Sequence, residues 1–180
     1  PPPPPPPFFF HPDAGIRHFC LSRGLGDVYK RQAHYAELGV DNIVKRVLYI
    51  DTIKCMTNGG IEKEEIGREY LETHHGGTWM KCSCNTYGNV HMEGGTPFRA
   101  NYPGIGDYYN STNDIFHAPR PTDMNGKSCT SWTLNTTTGL WSAPKTQPTL
   151  TDDDKDAGKL YTWNETAYYA DHTKGWELTT

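Results

Sequence analysis

Ser131–Pro144 reads SWTLNTTTGLWSAP, and the reading of this stretch decides the fold. Trp132 and Leu134 lead into Asn135, while Leu140 and Trp141 lead away from Gly139, so short apolar arms flank a polar centre. Asn and Gly accept left-handed backbone at little steric cost, which a tight reversal needs. The flanking rings can then pair across the arms. The stretch is therefore expected to be a β-hairpin closed by Pro144. Two neighbours repeat the pattern. Tyr109–Pro119 (YNSTNDIFHAP) has an aromatic arm, an Asn-rich turn, a returning ring at Phe116 and a closing proline. Tyr161–Thr166 (YTWNET) returns through Lys174–Leu178 (KGWEL) after a longer tip. One unit recurring along a chain marks an internal repeat.

Upstream, Ala33–Leu38 is short and mixed, Gly39–Asn42 (GVDN) supplies turn residues, and Ile43–Ile50 (IVKRVLYI) is apolar and β-branched. This predicts a further hairpin. In its second arm Ile43, Val47 and Tyr49 share one parity and Val44, Leu48 and Ile50 the other. Both faces are then available for covering, and a helix is the natural cover. Ile61–Thr73 (IEKEEIGREYLET) supplies it: Ile66 and Tyr70 share a face with Leu71 at its flank, and Glu64, Glu65, Arg68 and Glu72 fall on the wet side. The acidic first turn suits the helix dipole, although Gly67 weakens the helix by about 1 kcal/mol relative to Ala. Gly76 and Gly77 end it, and Thr78–Asn85 (TWMKCSCN) alternates as a strand returning to the hairpin. The expected fold class is α+β. An N-terminal β-hairpin and further strand with one helix occupy 33–106, and short aromatic β-hairpin repeats occupy 107–180.

Residues 1–32 stand apart. They hold 8 of the 14 prolines, beginning with Pro1–Pro7 before Phe8–Phe10, a low-complexity run suited to an extended polyproline rod. Cys20–Gln32 (CLSRGLGDVYKRQ) resembles a translated sequencing-adapter fragment of the kind that recurs at the ends of environmental assemblies. The expectation is an artefactual or disordered leader, with the natural start near Ala33. Without it the net charge moves from −4 to −6, since Lys and Arg fall from 17 to 13 and Asp and Glu from 21 to 19. An acidic balance argues against a nucleic-acid binder, which needs a basic face to displace counterions. No apolar run approaches the roughly 18 residues that a membrane-spanning helix requires. The 12% aromatic content, set among many Gly, Pro, Asn and Thr, instead suits small sheets that bury much area per residue.

Candidate chemistry is sparse. Cys82 and Cys84 lie near His74, His75 and His91, but their spacing does not fit the usual zinc pairs, and a second pair would need distant Cys55 or Cys129. Those last two could instead pair as a disulfide, although nothing marks a secreted context. Asp152, Asp154 and Asp156 echo the start of a calcium loop, yet Ala157 stands where Gly is wanted and Trp163 where a closing Glu belongs. A solvated linker is the expectation there. Asp107, Asp114, Glu165 and Asp171 could supply the paired carboxylates of glycoside hydrolysis, but each sits in or beside a turn, where acids are ordinary. Asn110, Asn135 and Asn164 open glycosylation sequons, which arise easily in Asn-rich turns. No catalytic residue, metal ligand or cofactor is assigned. The binding candidate is an aromatic face of Tyr108, Tyr109, Trp132, Trp141, Tyr161, Trp163 and Trp176, weighed against the plainer reading that these rings form hairpin core.

The stretches AHYAELGVDNIVKRVLYID (33–51), NTYGNVHMEGGTPFRANYPGIGDYY (85–109), SWTLNTTTGLWSAP (131–144) and LYTWNE (160–165) resemble a family of small proteins common in marine bacteriophages, especially those of cyanobacteria. The likeness spans nearly all of 33–180. It weakens at Cys82 and Cys84 and at the longer insert Asp123–Lys127, both of which suit surface loops. The resemblance implies a non-enzymatic virion-associated structural, decoration or tail-fibre component that binds other virion proteins or host-surface glycan, without nucleic acid and without membrane insertion. Location in the virion follows, with the bacterial host cytoplasm as the other place; an oligomer is compatible with both. Alternatives are an intracellular fibre-assembly or host-takeover binding factor, and a glycan-active enzyme.

Overall fold

The structure, a computed structural model, describes Gln32–Thr180. The expected leader lies outside the described residues, apart from Gln32, which opens the first strand. The fold is α+β, with one three-stranded antiparallel sheet followed by small two-stranded ones. Strands β1 (Gln32–Leu38), β2 (Val44–Asp51) and β3 (Thr78–Cys82) form the sheet, with β1 central in the order β2-β1-β3. Asp41 and Asn42 take positive φ of 57° and 58° in the β1–β2 turn, as Asp and Asn tolerate.

Helix α1 (Glu64–His75) covers one face of this sheet. It starts three residues later than Ile61 because Ile61 accepts a hydrogen bond from Thr57 N and Glu62 bridges Met56, which keeps the chain extended through Lys63. Ala33, Tyr35, Cys55 and Trp79 are buried against the helix's own Leu71, with Leu48, Ile50 and Tyr70 packed around them. Each large side chain buried there contributes roughly 1.5–3 kcal/mol. Gly67, which weakens the isolated helix, is required by the packing: a Cβ there would lie 2.7 Å from Cys55 Sγ and nearer still to Tyr35 Oη. Glu64, expected on the wet side, instead accepts from Lys81 N at 3.0 Å and pairs with Arg99.

The parity argument for β2 fails at one residue. Glu37 pairs with Arg46 but Leu38 pairs with Val44, so Lys45 is the extra residue of a β-bulge. Val44 thereby leaves the side of Leu48 and Ile50 and joins Ala36, Leu38, Cys82 and Val47 on the opposite face. Buried Glu37 anchors the bulge by accepting from Lys45 and Arg46. A hairpin rather than a helix covers this second face: Phe116 and Tyr109, with Tyr102, pack against it.

Four small hairpins follow: β4 (Thr86–Tyr87) with β5 (Val90–His91), β6 (Tyr108–Asn110) with β7 (Ile115–His117), β8 (Thr133–Asn135) with β9 (Leu140–Ser142), and β10 (Leu160–Trp163) with β11 (Trp176–Thr179). In the second and third the turn is the same device. Asn110 Oδ1 accepts from the backbone of Thr112 and Asn113, both at 3.1 Å, and Asn135 Oδ1 accepts from Thr137 and Thr138 at 2.9 and 3.0 Å. Four residues after each Asn the chain turns left-handed, at Asp114 (φ 51°) and Gly139 (φ 66°). In the last hairpin Asn164 opens no turn. Its Oδ1 accepts from Ala167 N and caps α3 (Glu165–Ala170), which fills the long tip. The acidic stretch expected as a linker is helix α2 (Asp152–Asp156), capped by Thr151. The Cys55–Cys129 disulfide is not formed; Cys55, Cys82 and Cys129 are buried free thiols and Cys84 is a half-buried one.

Candidate interaction surface

Strands of two or three residues cannot hold a sheet by backbone pairing alone. Polar side chains tie these hairpins together. Asn101 is buried at their junction: its Oδ1 accepts from Gly88 N at 2.8 Å in the β4–β5 turn, and its Nδ2 donates to Phe116 O at 2.8 Å and Thr138 O at 2.9 Å. Gly139 must lack a side chain for this, since a Cβ would sit 2.6 Å from Phe116 O. Arg99 takes left-handed backbone (φ 51°), and its guanidinium reaches Glu64, Asp114 and Lys81 O, each within 2.7 Å. It thus links α1, β3 and the β6–β7 turn. Arg120 lies 4.5 Å above the Trp141 ring and donates from Nη1 to the carbonyls of Cys129, Thr130 and Trp132.

Glu165 and Asp123 form a further anchor. Glu165 is buried and accepts from Trp163 Nε1, Ser131 N, Ser131 Oγ and Thr130 Oγ1 at 2.7 to 2.9 Å. Burial by itself would raise the Glu165 carboxyl; the donors of Trp163, Ser131 and Thr130 outweigh it and hold the group down at about 2. Asp123, expected in a surface insert, is buried as well: it accepts from Asn125 N and Lys127 N, and from Glu165 N at 3.2 Å. Glu165, a candidate acid in the sequence, follows Asn164 at a helix start, whereas no sequence signal marks Asp123.

The seven rings of the aromatic candidate do not make one continuous face. Tyr109 packs on Phe116 over the sheet and donates to Asp114 Oδ1. Tyr108 stacks on His117, which meets the edge of Trp141, whose Nε1 donates to Ala118 O. Trp132, Trp163 and Trp176 form a separate cluster with centroids 5.2 to 6.0 Å apart, so Trp132 meets these rings while Leu134 is the strand partner of Trp141. Trp163 is buried, and the other six, Tyr161 among them, are half-buried.

Three of the exposed apolar side chains share one face of the β4–β5 hairpin, for which the sequence analysis gives no element. Gly88 and Asn89 at φ 57° and 63° make its two-residue turn. Thr86 pairs with His91 and Tyr87 with Val90, and Met92 N donates to Asn85 O, so Tyr87, Val90 and Met92 share a face by alternation. Thr86, on the other face, is buried and accepts from Phe98 N. Tyr87, Val90 and Met92 are 54%, 62% and 62% exposed. Asn101 and the Tyr102 N–Thr86 O bond hold this small platform in place.

The acids considered for hydrolysis are engaged: Asp107 accepts from Gly104 N, Asp114 from Arg99 and Tyr109, and Asp171 from Thr173. His74 Nδ1 lies 2.7 Å from Tyr70 O, and His91 Nδ1 accepts from Glu93 N and Gly95 N. Among the described residues no three His, Cys, Asp or Glu side chains gather as a metal-ligating group, and no helix is long and apolar enough to cross a membrane. No family model, curated protein or solved structure matches the chain.

Proposed function

We propose that this chain is a non-enzymatic, virion-associated phage component that docks on other virion proteins through the β4–β5 platform. The resemblance to marine phage proteins supplies the setting. The observation that carries the docking reading is the face of Tyr87, Val90 and Met92, more than half exposed on a hairpin whose other face is anchored. A glycan site favours open, flat rings flanked by polar groups. Here Met and Val accompany a single ring, and adaptable apolar side chains of this kind suit a protein surface. The seven aromatic candidates act in this reading as the frame that positions the platform.

The test is tryptic mass spectrometry of gradient-purified particles of the encoding phage and of infected-cell lysate, following the peptide that ends at Lys45. The protein is expected in particles in multiple copies, and Val90→Lys with Met92→Lys is expected to lower its incorporation at least tenfold without unfolding it. Abundance in lysate with absence from particles overturns the virion role and favours the fibre-assembly or host-takeover reading. Sugar release from host envelopes by the purified chain overturns the non-enzymatic one.

A further inference from the structure

Two short loops, 55–63 and 121–129, are closed in the same way. In the first, Met56 bridges Glu62, Lys63 N donates to Cys55 O at 2.8 Å, Thr57 N to Ile61 O at 2.9 Å and Gly60 N to Thr57 O at 2.9 Å. In the second, Thr122 bridges Ser128, Cys129 N donates to Pro121 O at 2.9 Å, Asp123 N to Lys127 O at 2.7 Å and Gly126 N to Asp123 O at 2.9 Å. Gly60 and Gly126 take the same left-handed backbone, φ 75° and 76°. Each loop holds one of the chain's two Asn-Gly pairs, and both Asn residues are exposed. The pairs sit one position apart in the common turn. Asn58 and Gly59 are the two central residues of the first, whereas Met124 and Asn125 are central in the second and Gly126 closes it. The residue that opens the turn differs as well. Asp123 Oδ1 accepts from Asn125 N at 2.8 Å and from Lys127 N at 2.9 Å, but Thr57 Oγ1 accepts only from Ile61 N, at 3.2 Å. Among the described residues, Gly59 N and the Asn58 side chain therefore have no hydrogen-bonded partner. The space around Gly59 is open, since a Cβ there would meet only Thr57 Oγ1, at 3.8 Å.

We propose that Asn58 is a site of spontaneous deamidation and that the second loop protects Asn125 from the same reaction. The main-chain nitrogen after an Asn attacks the side-chain Cγ, and the new N–Cγ bond closes a succinimide ring. The proton of that nitrogen passes to Nδ2, whose bond to Cγ breaks, and Nδ2 leaves as ammonia. Water then opens the ring at either carbonyl and leaves aspartate or isoaspartate, so water is the only other reactant. Gly59 N is free to attack, and its residue has no Cβ to screen it. Gly126 N must first leave Asp123 O, and the bonds from Asn125 N and Lys127 N to Asp123 Oδ1 hold the main chain on either side of it. The same dipeptide is thus reactive in one loop and held in the other. Each conversion adds one negative charge to a chain of net charge −4, and isoaspartate lengthens the main chain just before α1. This site is separate from the docking hairpin and stands or falls apart from the virion role.

The experiment is timed incubation of the full chain at mildly alkaline pH, folded and in urea, followed by tryptic mass spectrometry. Peptide 55–63 contains Asn58 as its only Asn, and fragment ions of peptide 100–127 report Asn125. In the folded chain Asn58 is expected to convert about tenfold faster than Asn125, the rate equivalent of a hydrogen bond that must be broken first. In urea the two are expected to convert at similar rates. Thr57→Asp gives the first loop the acceptor that the second has, and is expected to slow Asn58 about tenfold in the folded chain but not in urea. Equal rates in the folded chain overturn the proposal. An excess at Asn58 that persists in urea also overturns it, because the local sequence rather than the loop then sets the rate. So does a folded-state rate at Asn58 indifferent to Thr57→Asp.

Discussion

The sheet of β1–β3 and the array of small hairpins after it solve the same problem with different materials. Under α1, apolar side chains meet with few polar groups among them, and Trp79, Tyr35 and Leu71 are fully buried. In the array the strands are too short to enclose such a core, and buried Asn101, Asp123 and Glu165 connect elements far apart in sequence. The difference teaches where each region is vulnerable. Lost volume breaks the first, whereas lost hydrogen bonds break the second, because a buried polar partner left alone keeps its full desolvation cost.

Trp79→Ala gives the largest expected effect, about 3–5 kcal/mol of stability, because it empties the centre of the apolar core. Urea denaturation measures it. A loss below 1 kcal/mol would mean that the sheet does not depend on that core. Next comes acid. The Glu165 carboxyl is held at about 2 against an ordinary 4.5, so its contribution is complete above about 4.5 and is lost as the pH falls toward 2. The shift corresponds to about 3 kcal/mol. Tryptophan fluorescence of the Trp132–Trp163–Trp176 cluster against pH should show this loss, and Glu165→Gln should flatten it. An unchanged acid midpoint in that variant would remove Glu165 from its place as an anchor.

Gly139→Ala should cost about 1–3 kcal/mol, combining strain at positive φ with the crowding of Phe116 O. Exchange should rise at Gly88 and near Thr138, where Asn101 is displaced; a change confined to the β8–β9 turn would make Asn101 a local rather than a connecting residue. Asn135→Ala removes only a turn acceptor and should cost about 1 kcal/mol, read as a small fall in melting temperature. If Asn110→Ala costs several times more than Asn135→Ala, the two turns are not equivalent devices despite their matching geometry.

Periodicity and turn chemistry are local properties, and they were legible. The hairpins at Asn110 and Asn135, the strands around Gly39–Asn42, and a helix ending at Gly76 all follow from neighbouring residues. The β4–β5 hairpin is equally local, since Tyr87-Gly88-Asn89-Val90 contains a recognisable turn pair, but its two-residue arms are too short to show an alternating pattern. Other features depended on residues distant in sequence. Asn164 shares its aromatic–Asn setting with Asn110, yet it caps a helix, because Glu165 finds Thr130, Ser131 and Trp163 around it.

The sequence by itself determined an α+β chain of short, turn-bounded strands with one substantial helix, because φ preferences and apolar spacing act between near neighbours. Only the tertiary structure decided which groups those elements bury. It required a glycine at position 67, moved Val44 across the sheet through the bulge at Lys45, gave Glu64 and Asp123 internal partners, and left Tyr87, Val90 and Met92 in solvent. Burial and hydrogen-bond satisfaction are sums over residues that meet only after folding, and their spacing along the chain does not encode them.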